Sequence, residues 1–143
     1  MSTCVIVANQ TLPSPILWRA VSERVGAGVR FHAVVPLTAV GKGFTWDEDE
    51  SRRQAEERLA AFLDRVRSLD VEASGEVGDR DPVQAVRDCL RGMTDVDEIL
   101  LSTLPPGISR WLGQDVAGRL RAAAAPIPVA VVYESAETPT QAG

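Results

Sequence analysis

The feature that most constrains the fold is the alternation of short apolar runs with longer stretches whose apolar residues recur at helical spacing. Because helical stretches separate the runs, the runs must form parallel strands joined by right-handed crossovers. The alternation predicts one α/β domain, a doubly wound five-stranded parallel sheet with helices on both faces. This domain is expected to span residues 1–134, followed by a flexible polar tail over 135–143. The predicted strands are Cys4 to Ala8, Val29 to Val35, Val71 to Val77, Val96 to Leu101, and a last strand that follows Pro128 and ends near Val132.

Capping residues and apolar stripes predict four helices. Ser14 before Pro15, and Asp81 before Pro82, are typical of a helix N-terminus. Thr45 to Glu48 fits a capping box at the start of a long second helix, and the fourth helix is expected to run from about Ser109 to Ala124. The predicted inward-facing residues are Leu17, Val21 and Val25 in the first helix, Ala55, Leu59, Phe62, Leu63, Val66 and Leu69 in the second, Val83, Val86, Leu90 and Met93 in the third, and Leu112, Val116 and Leu120 in the fourth.

Charge and apolar content argue against several classes of function. The chain has 143 residues and a net charge of −5, whereas broad nucleic-acid binding needs a basic face. No apolar run approaches the about 20 residues of a membrane-spanning helix, and the amino terminus lacks the basic region of a signal peptide. Cys4 and Cys89 have no metal-binding spacing, so we expect two buried thiols in a reducing cytoplasm.

The sequence motifs of several α/β protein classes are absent. There is no GxGxxG after the first strand, no GxxxxGK[ST] and no GxSxG nucleophile elbow. A phospho-receiver would need acidic residues after the first strand and a lysine after the fifth. Here Asn9 follows the first strand, and Lys42 is the only lysine. With no evident base, nucleophile or metal triad, the chain is expected to be non-catalytic.

Small polar residues predict where a ligand binds. Parallel sheets bind ligands beyond the carboxyl ends of their strands, which here places Asn9 to Thr11, Val35 with Pro36, and the loop from Ser102 to Arg110 at one rim. We expect the pocket between the first and last of these segments. The predicted ligand-binding residues are Asn9, Thr11, Val35, Ser102, Thr103, Gly107, Ser109 and Arg110.

Hydroxyl and amide donors in this loop, together with the Arg110 guanidinium, suit an anion such as phosphate. Two consecutive prolines in the loop, Pro105 and Pro106, remove two N–H donors from such a cradle. The alternative is that the serines and threonines only satisfy strand and helix ends. Asn9 could likewise hydrogen-bond a base or ribose, or simply form a turn.

Four further features have a structural interpretation that we prefer. His32, the only histidine, is expected to be structural, with no triad near it. The acidic run Asp47 to Glu50 could attract a cation, but it fits a solvated helix start. Trp46 and Trp111 could stack on a base, but packing in the core or an interface is the simpler interpretation.

Four stretches of sequence carry a family resemblance over residues 3–133. They are Val5 to Asn9, Gly78 to Pro82, Asp97 to Thr103, and Ala125 to Val132, whose Pro-x-Pro-Val start is the most specific. In this pattern the chain resembles the universal stress protein family, within the Rossmann-like adenine-nucleotide-binding domains. Its proline-rich loop looks like a variant of actinobacterial members. The resemblance implies the strand order 3-2-1-4-5.

The resemblance also implies a nucleotide-type pocket, with departures. ATP-binding members have an acidic residue where Asn9 stands, and a Gly-x-x-Gly followed after nine residues by Gly-Ser or Gly-Thr. Without gaps, Ser102, Pro105, Asp115 and Val116 occupy those positions, so that phosphate loop is not present as such. We expect a non-catalytic protein that binds a nucleotide or another small phosphorylated ligand, with ATP or another adenine nucleotide as candidates. The alternative is a dimerisation or interaction module with a vestigial pocket.

The last strand predicts a homodimer. In this fold class the strand lies at an edge of the sheet, and it is apolar up to Tyr133, with no charge before Glu134. An edge of this kind invites pairing with another chain, and Pro128 blocks only its beginning. Two copies are expected to pair through Val129 and Val131, as dimers of the resembling family do.

Overall fold

The computed structural model describes residues 2–9, 11–12, 14–26, 28–37, 48–103 and 115–133. Five parallel strands form one sheet in the order β3-β2-β1-β4-β5. The predicted class and strand order are therefore confirmed. The strands are β1 (Ser2–Val7), β2 (Val29–Pro36), β3 (Ala73–Gly78), β4 (Val96–Thr103) and β5 (Val129–Tyr133).

Four described helices cover the sheet, two on each face. They are α1 (Pro15–Arg24), α2 (Glu48–Arg67), α3 (Pro82–Leu90) and α4 (Val116–Ala124). Helices α1 and α2 pack on one face, and α3 and α4 pack on the other. Ser14 and Asp81 are the N-caps of α1 and α3, as predicted, and each accepts a hydrogen bond from a backbone N–H of the first turn. No described helix is both long enough and apolar enough to cross a membrane.

The central strand β1 has apolar side chains on both faces of the sheet. In β1, Ile6 packs towards α1 and α2, while Val5 and Val7 pack towards α3 and α4. All three side chains are fully buried. Each such side chain contributes about 1.5–3 kcal/mol by leaving water, so an unbroken apolar run is most stable in the middle of the sheet.

Strand β4 is longer than predicted. It ends at Thr103 rather than Leu101, because Ser102 and Thr103 continue the ladder opposite Val132 and Tyr133 of β5. A parallel ladder uses backbone groups only, so a change to polar side chains does not end the strand. Ser102 and Thr103 are therefore the last residues of a buried strand and not the start of a loop.

The predicted fourth helix does not run unbroken from Ser109 to Ala124. Asp115 has a left-handed backbone, with φ of 54°, and its side chain accepts a hydrogen bond from Gly118 N–H as the N-cap of α4. An α-helix cannot continue through such a residue. Val116 and Leu120 are buried, as predicted, and residues 104–114 lie outside the described chain.

The second helix ends before Leu69, which was predicted to face the core. Helix α2 ends at Arg67, and Leu69 is 41% exposed in the turn that follows. The turn contains Asp70, whose positive φ of 61° stops the helical path. The rest of the predicted stripe is buried or packed against the core, namely Ala55, Leu59, Phe62, Leu63 and Val66.

Candidate functional site

The carboxyl ends of β1, β2 and β4 lie at the same rim of the sheet. The chain leaves β1 towards α1 on one face, whereas β4 precedes α4 on the other. The strand order reverses between these two neighbouring strands, and such a switch point is where open α/β sheets form a crevice. The rim between β1 and β4 is therefore the place to look for a site.

Two predicted site residues meet at this rim. The hydroxyl oxygens of Thr11 and Ser102 are 2.6 Å apart, and either hydroxyl can donate. Thr11 follows β1 and Ser102 belongs to β4, so one residue from each of the two predicted segments lies on this rim. Both residues are buried, and each hydroxyl is satisfied by their mutual hydrogen bond.

Asn9 links three elements at the same rim. Its Nδ2 donates to the Pro36 carbonyl oxygen at the end of β2, at 2.6 Å. Its Oδ1 accepts a hydrogen bond from the Arg58 guanidinium of α2 at 2.5 Å. Asn9 itself is buried, so it positions a cation at the rim and ties β1 to β2.

Arg58 was not among the predicted site residues. It lies in the middle of a highly charged helix and 49 positions from Asn9, so no local pattern singles it out. Its contact with the rim depends on the packing of α2 against β1 and β2. The one sequence signal for Arg58 is its position in the helical repeat of α2, where it directly precedes the buried Leu59.

The other predicted site residues have different places. The Val35 side chain is fully buried in the core beneath α1 and α2, so it has no surface to offer a ligand here. Thr103 is buried at the end of β4, opposite Tyr133 of β5. Gly107, Ser109 and Arg110 lie outside the described residues, as do Trp46 and Trp111, and their roles stay predictions.

A polar groove of about 530 Å³ lies beyond the carboxyl ends of β2 and β3. The sequence patterns did not indicate it. Four acidic residues and two arginines are among its lining residues, so its charge does not favour a phosphate group. Its lining consists of Leu37, Glu48, Arg52, Glu76, Val77, Gly78, Asp79, Arg80, Ala85 and Asp88.

Both thiols are buried, as predicted, and neither is activated. Burial, followed by the nearby Glu98 carboxylate, raises the pKa of Cys4 to about 12. Burial, followed by Glu76, raises the pKa of Cys89 to about 12. Because a thiolate is the nucleophilic form, neither thiol is a nucleophile at neutral pH.

Comparison with known proteins identifies the fold. No family model and no curated protein matches this chain. Among solved structures, it is similar to a universal stress protein from Archaeoglobus fulgidus, with 20% identity, a TM-score of 0.63, and coverage of 92% of this chain and 93% of the other. It is also similar to a universal stress protein family protein from Arabidopsis thaliana with AMP bound, with 13% identity, a TM-score of 0.64, and coverage of 96% and 95%. The chain therefore has the fold of the universal stress proteins, as its sequence pattern predicts.

Proposed function

We propose that this chain is a non-catalytic binding protein that takes a nucleotide, or another small phosphorylated ligand, at the rim between β1 and β4. The observation that carries the proposal is the buried Thr11–Ser102 hydroxyl pair at the switch point, beside an asparagine held by Arg58. The AMP bound to the Arabidopsis thaliana protein of the same fold supports an adenine nucleotide as the ligand.

The donors at the rim suit a phosphorylated ligand. A hydroxyl that now bonds to its neighbour can turn to donate to a phosphate oxygen, which is the stronger, charge-assisted acceptor. Arg58 has five N–H donors in a fixed fork, and its bond to Asn9 uses only part of that fork. Arg110, which follows β4 in the sequence, is expected to add a second cation.

The absence of an activated nucleophile in the described residues supports a binding role. Thr11 and Ser102 bond to each other rather than to a base, and the Cys4 and Cys89 thiols are protonated. Hydroxyl nucleophiles in enzymes are activated by an adjacent base. The two free thiols also suit a reducing compartment, and we infer that the protein works in the cytoplasm.

Thermal unfolding with AMP, ATP, cyclic AMP and GTP tests the proposal. A ligand present at 100 times its Kd should raise the free energy of unfolding by about 2.7 kcal/mol. Arg58→Ala should weaken binding of that ligand by about 1.5–3 kcal/mol, the usual contribution of a charged hydrogen bond, and Arg110→Ala is expected to do the same.

The control is Arg53→Ala, which removes an exposed arginine of the same helix that bonds only to Glu50 and Glu57 among the described residues. Binding should be unchanged in this variant. If none of the four nucleotides stabilises the wild-type protein, binding of these nucleotides is excluded. The alternative, a dimerisation or interaction module with a vestigial pocket, is then the function to test.

A second function, homodimerisation through β5, rests on its place in the sheet. Among the described residues, β5 has β4 as its one neighbouring strand. Ile99 N–H donates to the Pro128 carbonyl, and Ile99 is in register with Val129. In a parallel ladder of this register the N–H groups of Val129 and Val131 point away from β4, towards the open edge. No described residue accepts a hydrogen bond from these groups, so we expect them to pair with the antiparallel strand of a second copy.

A further inference from the structure

Three side chains with different metal-ligating atoms converge beneath α3. They are His32 of β2, Glu76 of β3 and Cys89 of α3, and their ligating atoms all lie within 4.8 Å of one another. The register between β2 and β3 explains why His32 and Glu76 lie close together. Glu76 lies opposite Val34, two residues after His32, so both side chains project from the same face of the sheet, which α3 covers.

The cluster is compact, but two of its atoms are at hydrogen-bond distance rather than at the separation of two ligands of one ion. His32 Nε2 and Glu76 Oε2 are 2.7 Å apart. Around tetrahedral zinc, with bonds of about 2.0–2.3 Å, ligand atoms lie about 3.3–3.8 Å from each other. Rotation about the side-chain bonds of Glu76, which is at the protein surface, could open the first distance and admit an ion.

Ser74 holds the imidazole in a suitable orientation. His32 Nδ1 lies 2.8 Å from Ser74 Oγ, and Ser74 is the cross-strand neighbour of His32. The 2.7 Å contact with Glu76 is one in which Nε2–H donates to the ionised carboxylate, which can only accept. In the tautomer in which Nδ1–H donates to Ser74 instead, Nε2 has a lone pair on the same side, and an ion between Nε2 and Glu76 would replace the proton. Histidines that bind metals are commonly oriented by a hydrogen bond from the other ring nitrogen in this way.

The groove provides a route for the ion. Glu76 lines it, together with Asp88, the residue before Cys89, while His32 and Cys89 are buried and do not line it. Three protein ligands, two of them buried and Glu76 at the groove, would leave the fourth tetrahedral position for water. A thiolate, an imidazole and a carboxylate together select zinc over magnesium or calcium, which prefer oxygen ligands alone.

We propose that His32, Glu76 and Cys89 form a binding site for a divalent transition-metal ion, with zinc as the ion. This site lies on the α3 side of β2 and β3, away from the Thr11–Ser102 pair. It is therefore independent of the proposed nucleotide site, and either one can fail without the other.

The test uses the full chain without an affinity tag, after removal of metal by a chelator. Calorimetric titration with zinc should give one ion per chain. Cobalt should give a near-ultraviolet thiolate-to-metal charge-transfer band, which requires a sulfur ligand.

Cys89→Ser should abolish this band. His32→Gln and Glu76→Gln should each weaken zinc binding by more than about 100-fold, since loss of an orienting partner alone costs about 10–100-fold. Ser74→Ala should fall in that smaller range.

Cys4→Ser is the matched control. Cys4 is the other buried thiol, but it packs on the opposite face of the sheet, so its loss should leave the band and the affinity unchanged. X-ray absorption of the zinc-loaded wild-type protein needs no variant and should give one sulfur at about 2.3 Å and lighter atoms at about 2.0–2.2 Å. Weak or non-stoichiometric binding, a spectrum without sulfur, or a band that survives Cys89→Ser would overturn the site.

Discussion

At the residue scale, three buried polar side chains of the rim are paired with partners that are far away in sequence. Ser102 bonds to Thr11, and Asn9 bonds to both Pro36 and Arg58. Burial of a hydroxyl or an amide costs free energy unless such a partner is present. These pairs therefore hold the rim in one arrangement before any ligand arrives.

Ser102→Ala should destabilise the protein by about 1–3 kcal/mol, because it leaves the buried Thr11 hydroxyl without its partner. The double variant with Thr11→Val should cost less than the sum of the two single changes, since no unpaired hydroxyl then remains. Urea unfolding of the four proteins measures this coupling. Ser68→Ala, which removes an exposed hydroxyl, is the control and should be nearly neutral. Strict additivity would show that the two hydroxyls do not depend on each other.

Asp95 should contribute to acid sensitivity. The pKa of Asp95 is lowered mainly by a hydrogen bond from Arg30 and then by one from Thr3. A carboxyl whose pKa is lower in the folded state stabilises the fold above its unfolded pKa of about 3.9, and this contribution is lost as the pH falls through the folded pKa. Asp95→Asn and Arg30→Gln should both flatten the fall in stability below about pH 4. Unchanged acid slopes in both variants would contradict this assignment.

At the element scale, the edge strand β3 is fitted closely to its neighbours. A Cβ at Gly75 would lie 2.6 Å from Leu59 Cδ1 and 2.8 Å from the Ala33 carbonyl oxygen. Helix α2 therefore packs directly over the backbone of β3 at this point. The absence of a side chain at Gly75 sets how closely α2 can approach the sheet.

Gly75→Ala should destabilise the protein by about 1–3 kcal/mol, the usual cost of overpacking, because the backbone oxygen of Ala33 cannot move aside easily. Thermal or urea unfolding measures the change. Gly26→Ala is a matched control, since a Cβ there would meet no atom within 4 Å. Equal stability of the two variants would show that β3 can shift to accept the methyl group.

At the scale of the whole molecule, β5 is the element most open to a second copy. Tyr133 is 43% exposed, and Val129 to Val132 are only partly buried. The other edge strand, β3, has Ser74, Glu76 and the two glycines Gly75 and Gly78. Charge and glycine disfavour pairing at that edge, so β5 is the expected interface.

Light scattering at micromolar concentration should give twice the chain mass of 15.4 kDa. Val131→Lys should shift the protein to monomers, because a charge in the centre of the paired strands would be buried without a partner. Leu69→Lys is the control. Leu69 is an exposed apolar residue that follows α2 and is not part of β5, so this change should leave the mass unchanged. A wild-type protein of monomer mass would exclude the dimer.

The sequence by itself determined the class of fold, because periodicity, helix caps and apolar runs are local signals. It predicted the parallel sheet, the caps Ser14 and Asp81, and the rim at which Thr11 and Ser102 meet. Tertiary structure decided what depends on distant neighbours. The extension of β4 to Thr103 required β5, and the place of Arg58 required the packing of α2. His32 was predicted to be structural with no triad near it, yet the β2–β3 register and α3 bring Glu76 and Cys89 to it. A local pattern cannot reveal such a cluster, since its members come from three separate elements.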